Sequence, residues 1–374
     1  MRKPSEDEFF LLHAHARAMN GLGHTRPNPP VGAVIVKNGK IIGEGWHKRA
    51  GSDHAEVAAI KDALRNLKPQ TSNLKHCTLY ATLEPCSKPG RVGACTDAII
   101  AAGLKRVVYG SVDPNPVNRG RAKRVLSRAG ILCEQIDSEK VVRVCDYQIR
   151  GFRKHVTTGM PYVTVKIAMS LDGKICDDYG NARWISSAKS RKATGYMREW
   201  VDAIMVGAET VRKDNPSLLS HSKRNDDLIR VVVTRSGKLP KNAQIFTDGA
   251  PNETKVFRVA RVISGAKVPA DSKVLADSKV STDAKGPIAA KDLKDVLRQL
   301  GKMGVMHVLC EGGLKLARSL ADAGLVDEWI SILAPVVIGS RHLKNALRLE
   351  QAGCIEQGGD IEGRFKALGR CRCH

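Results

Sequence analysis

His54 and Glu56 stand two residues apart in "DHAEVAAI", and Cys86 and Cys95 stand nine apart further on in "TLEPCSKPGRVGAC". One imidazole and two thiolates suit zinc and leave the fourth tetrahedral position to water. An ion held that way makes water a usable nucleophile near neutral pH. The chemistry then needs a carboxylate that moves protons without binding the metal, and Glu56 has the right type and place. A lone His-X-Glu or a lone pair of cysteines carries little information. The combination, with Pro85 before the first cysteine, points to a catalytic zinc centre and to hydrolytic chemistry.

Such a set has to be assembled by folded elements. An amphipathic helix is predicted over about 5–20, followed by "VGAVIVK", the turn Asn38-Gly39 and "KIIGEGW", which together signal a β-hairpin. A helix is predicted from His54, so that His54 and Glu56 lie at its start. The strand "CTLYATL" leads to Cys86, and the next helix opens at Cys95, where the helix dipole favours thiolate. "RVVYGSV", a basic helix and "GILCEQI" complete an alternating series that packs most economically as one mixed sheet with helices on its faces. The segment 146–161 ends this first unit. Beyond it "YVTVKIA", "DAIMVGA", "IRVVVT", "TKVFRVA" and "VMHVLCEGG" are β-branched strands with helical stretches between several of them, which predicts a second, mostly parallel sheet. The expected fold class is thus α/β, with domains at 1–150 and 151–374.

A chain of 374 residues is long enough for two such domains. No apolar run reaches the length of a bilayer span, and the N-terminal segment mixes acids and bases unlike a signal peptide, so the expected location is the cytoplasm. The ten cysteines lack the spacing of a disulfide framework. Cys77, Cys133, Cys145 and Cys310 lie in apolar or strand-like runs and are read as core. The near-duplication in "ADSKVLADSKV" is read as a surface loop or irregular strand, and "CRCH" as a frayed tail. A net charge of +23 admits a polynucleotide partner, but the excess is spread over both halves and no RNA-binding signature accompanies it. A solvated basic face explains it better, and small phosphorylated ligands explain it as cheaply. In the second half no G-x-G-x-x-G follows a strand; "CEGG" before a helix would let backbone N–H groups approach a pyrophosphate, a weak signal taken alone.

The set H-x-E…P-C is the signature of the zinc deaminases. Eight residues between the cysteines, with "NPPVGAVIVKNGKIIGEGWHKRAG" upstream and "DPNP" downstream, resemble the deaminase half of the bifunctional riboflavin-biosynthesis deaminase/reductases. "PYVTVKIAMSLDGKI", "ARWISS", "MVGAETVRKDNPSL" and "VLCEGGLKLARSLADAGLVDE" resemble the reductase half of the same family, and together the likeness covers nearly the whole chain. The resemblance implies a cytidine-deaminase-like first domain and a dihydrofolate-reductase-like second one, Zn2+ and NADPH as cofactors, a phosphorylated pyrimidine as substrate and a homo-oligomer. It implies that Asn28, His47, Asp113 and Asn115 contact substrate in the deaminase, with Lys88 and Arg91 facing its phosphate. It places Ala168, Trp184, Thr210, Asp214 and the segment from Gly313 along NADPH, and Arg183, Arg198, Leu218 and Glu311 towards the reductase substrate.

The sequence departs from the family pattern at Lys88-Pro89, at Val92-Gly93-Ala94, and at Asn118-Arg119 after "DPNP". It departs again at His221, where a basic Arg is usual, and at Arg235, where a small residue is usual. A protonated His221 could still hold a phosphate, and Arg235 could meet the 2′-phosphate of NADPH. Two other readings compete: an RNA- or nucleoside-acting zinc deaminase with an accessory binding domain, and a structural zinc site with no catalysis. Glu56 argues against the second, because a structural site has no use for a non-ligating carboxylate.

Overall fold

The computed structural model describes residues 4–67, 74–89, 92–180, 184–221, 227–250, 252–260, 287–339, 347–357 and 360–370. Two compact units emerge: Met1–Tyr162 with Trp200–Asp202 and Leu297–His307, and Val163–Glu199 with Ala203–Val296 and Val308–His374.

The first unit is a five-stranded mixed sheet in the order β2-β1-β3-β4-β5. Its strands are β1 (Gly32–Lys37), β2 (Lys40–Trp46), β3 (Cys77–Leu83), β4 (Arg106–Ser111) and β5 (Leu132–Gln135). β1 pairs antiparallel with β2 and β3, and β4 and β5 add in parallel. The hairpin turn forms as read: Asn38 and Gly39 both take positive φ, the geometry that matches strand twist. Side chains alternate across the sheet with period two. Val34, Val36, Tyr80 and Val108 pack on α1 (Glu6–Ala18) and α5 (Glu139–Gln148). Ala33, Ile35, Leu79, Ala81 and Val107 face the other way, onto α2 (Ala55–Asn66), α3 (Cys95–Ala101) and α4 (Arg121–Arg128). Cys77, Cys133 and Cys145 are buried in these two layers, as their apolar surroundings suggested. The segment closing this unit holds a further helix, α6 (Arg150–Thr158), whose Phe152 is buried.

α2 lies unusually close to β2. A Cβ on Gly45 would stand 2.4 Å from the Ala55 carbonyl oxygen and 2.5 Å from Ala59 N, and one on Gly43 would stand 2.5 Å from both Ala59 O and Ala63 N. Ala55, Ala59 and Ala63 recur every fourth residue, so small side chains line the whole seam. This contact sets the height of the helix start that bears His54 and Glu56. Gly45→Ala should therefore cost about 1–3 kcal/mol by overpacking and loosen metal binding at the same time. Thermal denaturation and zinc content after dialysis against a chelator measure the two effects; a variant that melts and binds zinc like the parent would refute the seam's role.

The second unit carries a seven-stranded sheet in the order β10-β9-β8-β7-β11-β6-β12. Its strands are β6 (Tyr162–Ser170), β7 (Ala203–Gly207), β8 (Ile229–Thr234), β9 (Thr254–Val259), β10 (Ile288–Ala290), β11 (His307–Cys310) and β12 (Glu328–Ala334). The pairs β10–β9, β9–β8, β8–β7, β7–β11 and β6–β12 are all parallel. β7 and β8 are buried at almost every position, as expected of a sheet covered on both faces. Its helices are α7 (Ala188–Met197), α8 (Ala208–Asp214), α9 (Gln244–Thr247), the first turn of α10 (Leu293–Lys302) and α11 (Leu314–Asp322). The chain goes from β6 to β7, steps outward to β10, then returns as β11 into the gap, so the order reverses beside β11. A three-stranded antiparallel sheet, β13 (Val336–Val337), β14 (Leu347–Gln357) and β15 (Asp360–Arg370), ends the described chain. This hairpin was not read from the sequence, because 347–370 lacks the strict apolar alternation that marks a half-buried strand. "ADSKVLADSKV" and "CRCH" lie outside the described residues.

Candidate active site

In the first unit the fold brings the four chemical residues together. His54 is the N-cap of α2, in extended conformation, and Glu56 is in the first turn. β3 delivers Cys86 two residues after Glu84, and Cys95 is the first residue of α3. The Cys95 backbone N–H donates to Cys86 Sγ at 3.3 Å, and the Thr96 N–H to the Cys86 carbonyl at 3.2 Å, closing the loop between the cysteines. His54 Nδ1 lies 3.2 Å from Cys95 Sγ and 3.5 Å from Cys86 Sγ, and one ligand atom from each residue falls within 4.8 Å of the others. Tetrahedral zinc with bonds of about 2.0–2.3 Å places ligand atoms at such separations. The Cys86 thiol is pushed down, to about 4, first by the hydrogen bond from Cys95, while Cys95, tied to the same proton and deeply buried, is pushed well up. Two thiols sharing one proton are a donor set that a dication completes.

Glu56 is buried, and its carboxyl reaches Cys95 without joining the ligand set. Burial raises it above the usual carboxylate range, which brings a proton carrier closer to working pH. A cavity of about 160 Å³ opens beside it, lined by Asn28, His47, Glu84, Asp113, Asn115 and Phe152 among others. His47 Nδ1 lies 3.0 Å from the Asp53 carbonyl, which can only accept, so Nδ1 carries the proton and Nε2 accepts from the Asn28 amide at 3.0 Å. Burial also lowers the His47 imidazole, so this tautomer stays neutral. Asp113 accepts from the Asn115 N–H at 2.8 Å, and burial pushes its carboxyl up to about 6. Lys88 is exposed in the cysteine loop, and Arg91 lies outside the described residues.

Glu84 was not singled out from the sequence. It is buried, lines the cavity, and accepts from three backbone N–H groups. The available signal was an acid closing an apolar strand immediately before Pro-Cys.

In the second unit the candidates cluster at the carboxyl ends of parallel strands, where ligands bind in open α/β sheets. Ala168 is late in β6, Thr210 and Asp214 are on α8 after β7, Arg235 is exposed just past β8, and Gly313 is the N-cap of α11 after β11. Arg198 and Glu311 meet fork to fork, Nε–Oε1 at 2.7 Å and Nη2–Oε2 at 3.0 Å, and Arg198 Nη1 donates to the Leu219 carbonyl at 2.9 Å. Leu218, next in line, is buried at φ 59°, a strained conformation for a side chain of that size. Lys166 Nζ comes within 3.9 Å of Glu311, a third charge that the sequence reading passed over although a lysine interrupts the apolar strand "YVTVKIA". Burial pushes the Glu311 carboxyl up, but Arg198 and then Lys166 outweigh it and hold it below its usual range. His221 is exposed and packs edge-on against the Tyr196 ring at 4.9 Å. Trp184 stands exposed, with the Arg191 guanidinium 4.4 Å from its ring centre, and Arg183 lies outside the described residues.

A zinc deaminase unit and a parallel-sheet reductase unit on one chain define a bifunctional enzyme class. The cytidine and deoxycytidylate deaminase zinc-binding region matches residues 4–111, and the RibD C-terminal domain matches residues 161–358. The riboflavin biosynthesis protein RibD of Aquifex aeolicus is 32% identical over 96% of this chain and 98% of its own length, and that of Escherichia coli 35% identical over 90% and 89%. Among solved structures, RibD of Acinetobacter baumannii superposes with a TM-score of 0.74 at 32% identity, and the diaminohydroxyphosphoribosylaminopyrimidine deaminase/5-amino-6-(5-phosphoribosylamino)uracil reductase of Thermotoga maritima with 0.76 at 30%; each covers 97% of this chain and 99% of its own. The chain belongs to the RibD family: it is a zinc-dependent deaminase and NADPH-dependent reductase of riboflavin biosynthesis. Among the described residues no helix is long and apolar enough to cross a membrane.

Proposed function

We propose that His54, Cys86 and Cys95 hold the zinc and Glu56 moves the protons of the deamination, with the deaminase in residues 1–150 and the reductase in 151–374. The observation that carries this reading is the approach of three ligand atoms to within 4.8 Å beside one buried, non-ligating carboxyl. Zinc held by these three residues would lower the pKa of a bound water and so make a nucleophile available near neutral pH for the amidine-like carbon of the diaminopyrimidinone. Glu56 takes a proton as that water adds and hands it to the ring nitrogen. It then takes the second from the new hydroxyl and hands it to the amine, so ammonia leaves and a carbonyl remains. Asn28, neutral His47, Asp113 and Asn115 hold the heterocycle, and Lys88 and Arg91 meet the phosphate.

Burial costs Asp113 stability once it ionises: nothing below its ordinary value of about 3.9, the full amount above about 6. The ionised form is the one that accepts hydrogen bonds at both oxygens. Deaminase kcat/KM should therefore fall on an acid limb near pH 6, and Asp113→Asn should lose that limb. A limb unmoved in the variant would assign it to another group.

In the reductase NADPH would supply the hydride that reduces C1′ of the ribosylamine in its ring-opened imine form to the ribityl chain. Ala168, Trp184, Thr210, Asp214 and the segment from Gly313 line the cofactor; Arg183, Arg198, Leu218, His221 and Glu311 lie towards the substrate. Arg235 meets the 2′-phosphate of NADPH. Arg235→Ala should cut the NADPH-over-NADH preference in kcat/KM by about tenfold, and an unchanged ratio would discard that role. The family's habit of forming oligomers and the free thiols support a homo-oligomeric enzyme of the cytoplasm. Purified protein given the diaminopyrimidinone ribosylamine phosphate, with ammonia release and NADPH oxidation followed separately, tests the whole reading. Failure of ammonia release with zinc bound would overturn it.

A further inference from the structure

The loop from Asp113 to Gly120 carries two of the side chains assigned to substrate, and both of its ends are fastened to one atom. Glu84 Oε2 accepts from Asp113 N–H at 3.2 Å and from Gly120 N–H at 3.0 Å. Oε1 accepts from Ala122 N–H at 3.1 Å, in the first turn of α4, where helix donors have no intrahelical partner. Glu84 itself is fixed: its N–H donates to the Ser111 carbonyl at 2.8 Å, its side chain is buried among the cavity walls, and Cys86 follows two residues later. A carboxylate with no bonded hydrogen can serve three donors at once. A carboxamide cannot, because its nitrogen carries two hydrogens and no free acceptor site.

We infer that Glu84 is a positioning residue, the clamp that holds the substrate-facing loop 113–120 in register with the metal-binding loop. It acts through Asp113 and Asn115, and so rests on the reading that those two contact the substrate. Glu84→Gln leaves either the loop ends or the helix start facing an N–H group instead of an oxygen. In either orientation the segment 113–122 loses at least one of its three anchors, while the zinc ligands keep theirs.

The test is the kinetics of ammonia release by Glu84→Gln and parent protein, with zinc content and hydrogen exchange at Asp113, Gly120 and Ala122. The expected result is a KM raised about tenfold or more, kcat lowered by less than about threefold, zinc at the parent level, and faster exchange at the three amides. NADPH oxidation on pre-deaminated substrate should not change. A parental KM, or loss of zinc with KM unmoved, overturns the clamp. Slow exchange of the three amides is also expected in the parent protein, so fast exchange there overturns the clamp even where the variant does not fold. A parent protein that releases no ammonia would instead strike down the functional reading, and the exchange measurement would still decide the clamp.

Discussion

Glu56→Ala will stop ammonia release, by about 10⁴-fold or more, while NADPH oxidation on pre-deaminated substrate continues at the parental rate. General acid–base assistance is worth about 10²–10⁴-fold per group, and here one carboxyl serves two successive proton transfers, so the loss belongs at the upper end. Zinc should remain bound, because the three ligands do not include Glu56. The separation of the two activities matters most in this result: it distinguishes a proton carrier from a residue that merely supports the fold. Ammonia release that survives the substitution would remove Glu56 from the chemistry.

Arg198→Ala should be the most damaging single change in the reductase. The Glu311 side chain is only 9% exposed, and among the described residues the substitution leaves its carboxylate Lys166 Nζ, at 3.9 Å, as its remaining ion-pair partner. Breaking a buried pair from one side costs about 3–5 kcal/mol, and displacement of the substrate contacts should lower reductase kcat/KM by about a hundredfold. The pH dependence supplies a second readout. In the parent the Glu311 carboxyl is held low, so its stabilising contribution is complete above the unfolded value of about 4.3 and is lost as pH falls through the folded one. Without Arg198, burial dominates and the carboxyl rises above its unfolded value. The sign then reverses, and the variant should gain stability as pH is lowered from neutral towards the unfolded value of about 4.3. Calorimetric melting across that range would show it; a variant melting like the parent at every pH would mean that the pair is dispensable.

The cluster of His54, Cys86 and Cys95 beside Glu56 was legible because its residues are few, chemically distinctive and held at spacings set by a helix start, a strand end and a second helix start. His54, Glu56, Cys86 and Cys95 needed only those three elements to form where the local pattern placed them. The parallel second sheet was legible for a similar reason, since "DAIMVGA" and "IRVVVT" are mostly apolar and rich in β-branched residues. Glu84 escaped because its partners are backbone groups 29 to 38 residues away, which no side-chain pattern records. Lys166 escaped because a single lysine in a strand reads as an outward-facing position until Glu311 is brought beside it. Trp184 could equally have been core, and only the fold places it on the surface beneath Arg191.

The tight meeting of Gly43 and Gly45 with Ala55, Ala59 and Ala63 leaves one flank of the catalytic helix with no room to diversify. The connections that follow β3 and β4 are free of that constraint and can carry new substrate preferences. That is where this chain's own departures at Lys88-Pro89 and Asn118-Arg119 fall.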